Sequence, residues 1–244
     1  EAWFGADSGN AVFTGATLSP TGGATTAFRL GGHSNTGGTF TIAGANVLRG
    51  AFPLIVGAPD QTDRNYTDGT IYIPKAQGFA GTVTVGSGGI LQAGVAGALG
   101  VGQAGRVILR GGELRLDVAA GLYGGVDAQY QSRTFDVAAA TPYIRATGLQ
   151  GGAFSSLLLG GLIFGDRDSS NNRVVNFRAN GGTFLDFVLN GPVSPNLGAA
   201  GNFYFDIGDD NTNTAANGIV TINGVIDAGS TGAQVLRKRN GGIL

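Results

Sequence analysis

Gly81 to Asp117, reading GTVTVGSGGILQAGVAGALGVGQAGRVILRGGELRLD, contains one device twice. The β-branched run Thr82-Val83-Thr84-Val85 meets the turn Gly86-Ser87-Gly88-Gly89 and passes into a second short segment, Ile90-Leu91-Gln92. Arg106-Val107-Ile108-Leu109 likewise meets Gly111-Gly112 and passes into Leu114-Arg115-Leu116-Asp117. Apolar and polar residues alternating over so few positions predict strands with one buried face, and glycine at the corner supplies backbone angles that other residues avoid. Two adjacent copies at this offset predict successive coils of a solenoid, which bury their apolar faces only by stacking on one another. The expected interior residues are Val83, Val85, Leu91, Val107, Leu109, Leu114 and Leu116.

Phe79-Ala80-Gly81-Thr82-Val83-Thr84-Val85, Gly88-Gly89-Ile90-Leu91-Gln92 and Gly97-Ala98-Leu99-Gly100 form a series of phrases. An apolar strand and Gly111-Gly112-Glu113-Leu114-Arg115-Leu116 follow them. This series resembles the autotransporter-associated β-strand repeat, a family found in very large secreted or surface passenger proteins of bacteria. Gly218 to Gly224, continuing through Val235-Leu236-Arg237-Lys238 to Gly241-Gly242-Ile243-Leu244, is similar to that family's closing phrase. The resemblance covers about a third of the chain. It lapses between Ala119 and Asn172, where an irregular insert around 119–172 is expected. It implies an extracellular or bacterial cell-surface protein, and no catalytic residues belong to its pattern.

With 42% hydrophobic residues, 13% charged and 46 Gly among 244, the chain is too apolar for disorder and too rich in glycine for a helical protein. Gly interrupts almost every window long enough to hold a helix, so little helix beyond a turn or two is expected. The absence of Cys and Met fits a secreted protein that avoids oxidisable side chains, and excludes thiolate chemistry. A net charge of −1 gives no overall basic field for nucleic acid or anionic lipid, so no nucleic-acid partner is expected. The longest apolar run, Leu157 to Phe164, is too short to span a bilayer. The sequence opens at Glu1 without a signal peptide and is expected to be a processed or partial segment of a longer chain.

Units comparable to the central device start at Gly38, Gly81, Gly105, Asn172 and Gly218. Their offsets lie near multiples of about 22 to 24 residues, within the range of solenoid repeats. The chain is therefore expected to be one domain over 1–244, a right-handed parallel β-helix of about ten coils with loops of variable length. A polar loop, Asp60 to Asp68, is expected to protrude. The section from Leu122 to Asn172, with Tyr123, Tyr130, Phe135, Tyr143 and Phe154, is expected to shape the surface.

Several segments invite a chemical reading. Gly100-Val101-Gly102-Gln103-Ala104-Gly105 matches the spacing of a dinucleotide fingerprint, but a strand rather than a helix follows it, so no helix N-terminus is available for a pyrophosphate. His33 is the single histidine, lies in a glycine-rich turn, and has no second His or Cys for a zinc site. Glycoside hydrolysis needs two carboxyl groups held about 5 to 10 Å apart. Asp206, Asp209 and Asp210, with Asp186 from the preceding coil, are the candidates. The competing reading of Asp209-Asp210-Asn211 is a solvated turn. Asp166 and Asp168 open a run that resembles half of a calcium loop, although Asn171 replaces the required glycine and Phe177 the bidentate glutamate. Arg237-Lys238-Arg239 reads as an ordinary turn.

These readings combine into a non-catalytic structural solenoid, a stalk, adhesive passenger or surface-layer or filament subunit, with no cofactor and no metal. Its ends, Glu1-Ala2-Trp3-Phe4 and Asn240 to Leu244, are expected to stack on another copy or on flanking repeats. The alternatives are a polysaccharide lyase or glycoside hydrolase built on the four aspartates, and a carbohydrate-binding module built on the Tyr-rich section.

Overall fold

The computed structural model describes residues 3–6, 9–20, 26–31, 38–57, 69–101, 106–118, 125–138, 141–148, 155–165, 172–179, 185–196, 201–209, 218–227, 234–239 and 243–244. The protein is all-β with almost no helix; its one short helix among the described residues is a 3-10 turn, Ala96–Leu99. Its parallel strands stack as a β-solenoid. The chain divides into two compact units, Glu1–Arg115 and Leu116–Leu244.

The first unit contains β1 (Asn10–Phe13), β2 (Phe28–Leu30), β3 (Thr39–Ile42), β4 (Arg49–Gly50), β5 (Leu54–Val56), β6 (Gly69–Ile73), β7 (Gly78–Phe79), β8 (Val83–Gly86), β9 (Gly89–Ala93) and β10 (Val107–Arg110). Strand β11 (Glu113–Asp117) carries the division between the units. A long sheet runs β1-β3-β6-β9, a second runs β2-β5-β8-β10, and β4 pairs with β7. Like residues stand above one another: Phe40 pairs Ile71 and Ile71 pairs Leu91, while Phe28, Leu54, Val83 and Val107 form a second ladder. Each such side chain withdrawn from water contributes about 1.5–3 kcal/mol. All seven expected interior residues are buried, none more than 1% exposed. Corner glycines Gly88 and Gly111 have φ of 74° and 88°, the left-handed region that the strand-corner-strand reading requires.

The second unit contains β12 (Val126–Tyr130), β13 (Phe135–Val137), β14 (Tyr143–Thr147), β15 (Ser155–Leu159), β16 (Leu162–Gly165), β17 (Asn172–Ala179), β18 (Leu185–Leu189), β19 (Val193–Asn196), β20 (Gly201–Asp209), β21 (Gly218–Ile222) and β22 (Gln234–Arg239). Its sheets run β14-β17-β20-β22, β13-β16-β19 and β12-β15-β18-β21. Its interior is built around phenylalanines: Phe177 lies 5.0 Å from Phe187 and 5.7 Å from Phe205, and Phe164 lies 5.1 Å from Phe203, centroid to centroid. Ring pairs in these tilted arrangements add stabilisation beyond the area they bury.

Three expectations need correction. Among its described residues the section 119–172 is regular, because β12 to β16 lie within it. The apolar run Leu157 to Phe164 belongs to two strands, β15 and β16, that meet at Gly160-Gly161. The alternation was concealed by polar residues at buried positions, Asp127, Asp136 and Ser155, and by the shortness of β13.

The repeat phase also differs. Gly81 and Gly105 do precede neighbouring rungs of one sheet, since Val83 pairs Val107. Gly38, however, precedes β3 and Gly218 opens β21, strands that belong to other sheets, because strands of every sheet share the same alternation. In register, the step from coil to coil ranges from 20 residues (Gly69 to Gly89) to 33 (Gly201 to Gln234), and the difference is taken up between strands. Finally, Arg237-Lys238-Arg239 lies in strand β22 rather than in a turn. The loop Asp60–Asp68, with Tyr123 and Phe154, lies outside the described residues.

Candidate functional site

Of the aspartates singled out from sequence, Asp186 and Asp206 lie in different sheets. Asp186 lies in β18, between Ser156 of β15 and Ile219 of β21, whereas Asp206 lies in β20, between Asn176 of β17 and Arg239 of β22, in a different sheet. Asp186 Oδ2 accepts a hydrogen bond from Thr221 Oγ1 at 2.9 Å, and its buried Oδ1 has no partner. Burial pushes the Asp186 carboxyl up from the ordinary value, against the opposing pull of its hydrogen bonds with Thr221. Asp206 is committed elsewhere: its Oδ1 accepts from Arg178 Nη2 at 2.8 Å. Asp209 ends β20 with its side chain outside the described set, and Asp210, Asp166, Asp168, His33 and Gly102–Gly105 lie outside the described residues.

A polar and aromatic constellation lies on the outward face of β14, β17, β20 and β22. Alternation produces it. Val175 and Phe177 turn inward, so Asn176 and Arg178 turn outward; Phe203 and Phe205 turn inward, so Tyr204 and Asp206 turn outward. Parallel registration then sets Tyr143, Asn176, Asp206 and Arg239 in one row and Val174, Tyr204 and Arg237 in another.

Arg178 is the hub of this face and is only 7% exposed. Its Nη1 donates to the carbonyls of Phe177 at 3.0 Å and Asp206 at 2.9 Å, while Nη2 donates to Asp206 Oδ1 and, at 3.3 Å, to Asn176 Oδ1. The guanidinium also stands 5.8 Å from the Tyr143 ring centre. Asn176 in turn donates to the Pro142 carbonyl at 3.1 Å. Arg239 lies 4.1 Å and Arg237 6.0 Å from the Tyr204 ring centre, and both arginines are exposed. The sequence signal for this face was present in the paired alternations of residues 172–179 and 201–209, but only the register shows that they are adjacent.

The described aromatics of the Tyr-rich section form no shared surface. Tyr130 is fully buried with its hydroxyl donating to the Asp117 carbonyl at 3.2 Å, Phe135 is buried, and Tyr143 is 37% exposed. Around Tyr130 is a second polar cluster. Gln129 donates through its backbone N–H and side-chain amide to Asp127 at 3.0 and 2.9 Å and through the same amide to the Asp117 carbonyl, and Thr147 donates to the Asp117 carboxylate. These bonds tie strand ends together, which is structural work. Among the described residues no group of three or more His, Cys, Asp or Glu is placed to hold a metal ion. No family model, curated protein or solved structure matches this chain.

Proposed function

We propose that the protein is a non-catalytic structural β-solenoid of the bacterial surface or extracellular space, right-handed and of about ten coils. On this reading it assembles end to end with another copy or with adjoining repeats, as in the autotransporter-associated repeat proteins it resembles. The handedness follows the strong chiral preference of parallel strand crossovers. The location rests on the Cys- and Met-free composition.

The observation that carries the assembly is strand β22. It pairs with β20 alone among the described strands, and Val235 within it is 42% exposed; in the other two sheets Ile226, bridged to Val193, and Ile243, bridged to Ile219, are 48% and 59% exposed, and Val225 is 73% exposed. A strand edge of free N–H and C=O groups beside apolar side chains is the surface that a further coil covers. Strand β1 pairs with β3 alone among the described strands, and on this reading contact between copies is head to tail, which generates a filament where the rotation does not close.

Sedimentation of the 244-residue chain across a concentration series, with imaging of the assemblies, tests the reading. Concentration-dependent growth that Leu236→Lys abolishes is the expected result, since Leu236 pairs with the inward-facing Phe203. A wild-type monomer at every concentration rejects assembly from copies. The rival binding-module reading is favoured by one observation, the arginines and tyrosines on the outward face of the second unit.

A further inference from the structure

We propose that the outward face of β20 and β22 binds an acidic polysaccharide, whose anionic groups are held by Arg237 and Arg239 beside Tyr204. The inference names a partner for the surface role described above and does not depend on end-to-end assembly.

The face separates two kinds of arginine. Arg178 spends its donors on Asp206, Asn176 and backbone carbonyls, so its charge is used within the fold. Arg237 and Arg239 are exposed, and neither has a carboxylate partner among the described residues. Strand periodicity sets them on one side of β22, about 7 Å apart. They are fixed on a strand, and Arg239 is steadied by the Tyr204 ring at 4.1 Å, so little freedom remains to be lost on binding. A planar guanidinium fork matches carboxylate and sulfate groups in two-point contact.

Charge favours the same partner. On the outward faces of β14, β17, β20 and β22 the described charged residues are Arg145, Arg178, Arg237 and Arg239 against Asp206, although the chain as a whole carries −1. The positive field is therefore local, and it suits a polymer with anions at intervals. Duplex nucleic acid, with its much denser phosphates, draws its affinity from many cationic contacts at once, more than two exposed arginines supply.

The test is titration of the 244-residue chain with polygalacturonate, with a sulfated galactan and with uncharged galactan, together with duplex DNA. Binding to at least one acidic polymer, weakening as salt rises and absent for uncharged galactan, is expected. Arg237→Ser with Arg239→Ser is expected to weaken it roughly tenfold or more, the loss of at least one charge-assisted hydrogen bond, with the melting temperature unchanged. Lysine at both positions keeps the charge but not the fork, and is expected to fall between. The proposal is overturned if neither acidic polymer binds, if uncharged galactan binds equally, if the serine variant binds as the wild type does, or if DNA binds more tightly. Sedimentation without polysaccharide reads assembly separately: a monomer that still binds removes the filament and leaves this face standing.

Discussion

Gln77 in the first unit and Arg178 in the second both bury a polar side chain against backbone, by opposite chemistry. Gln77 is fully buried: its Oε1 accepts from the N–H groups of Val47 and Leu48 at 2.9 and 3.0 Å, and its Nε2 donates to the carbonyls of Gly44 and Lys75 at 2.9 and 3.0 Å. One neutral amide thus completes four backbone bonds at the corner between β3 and β4, where no strand ladder reaches. Arg178 also makes four bonds, but one of them neutralises Asp206, which remains half-buried at the surface. The difference lies in what is left behind on removal. Buried N–H groups stripped of their acceptor have no water to turn to, whereas a carboxylate at the rim rehydrates.

The largest expected effect follows directly. Gln77→Leu preserves bulk but leaves the Val47 and Leu48 N–H groups buried and unbonded, at about 1–3 kcal/mol each, so a loss of about 3 kcal/mol or more is expected in denaturant unfolding. A loss under about 1 kcal/mol would show that the corner rearranges, and the contrast with Arg178 would dissolve.

Arg178→Met is expected to cost less, about 2 kcal/mol, because the stem still packs and Asp206 regains water. Asp206→Asn is expected to cost about 1 kcal/mol, since its amide oxygen still accepts from Arg178. A double-mutant cycle with Arg178→Met and Asp206→Asn isolates the pair, and a favourable coupling of about 0.5–2 kcal/mol is expected. If Arg178→Met exceeds Gln77→Leu, charge rather than backbone satisfaction dominates these buried sites.

Most strands were legible because a half-buried strand writes its pattern in consecutive residues: Thr39–Ile42, Val83–Gly86 and Glu113–Asp117 alternate plainly. The phase of the coil was not, since β3 and β8 look alike in sequence yet lie in different sheets. The same limit bears on the candidate residues. Asp206, Asp209 and Asp210 were grouped by nearness along the chain, but in a parallel stack the true neighbours are a whole coil away, as Arg178 and Asp206 are at 28 residues. Gln77 could not be read at all: its partners, Val47 and Leu48, lie 30 and 29 residues back, and an amide in a turn carries no sign of burial.

The smallest expected effect concerns Asp186, which neither unit's device explains: it has one hydrogen-bonded oxygen and one buried oxygen without a partner. Its register neighbours, Ser156 and Ile219, carry no charge to compensate it. Burial raises its pKa above the ordinary 3.8, so the fold favours the protonated form. The stability contributed by that preference is fully present below the unfolded-state value and is lost as pH rises through the raised folded-state value. Asp186→Asn removes the titration and keeps an oxygen for Thr221. The variant is therefore expected to melt slightly above wild type at neutral pH, and the advantage should shrink as pH falls, vanishing below 3.8. Melting curves of both proteins across that range measure the difference directly, and acid effects common to both cancel. A difference that stays constant with pH, or a wild type that is the more stable at neutral pH, would mean that the ionised carboxylate is well served by Thr221 and solvent despite its buried oxygen.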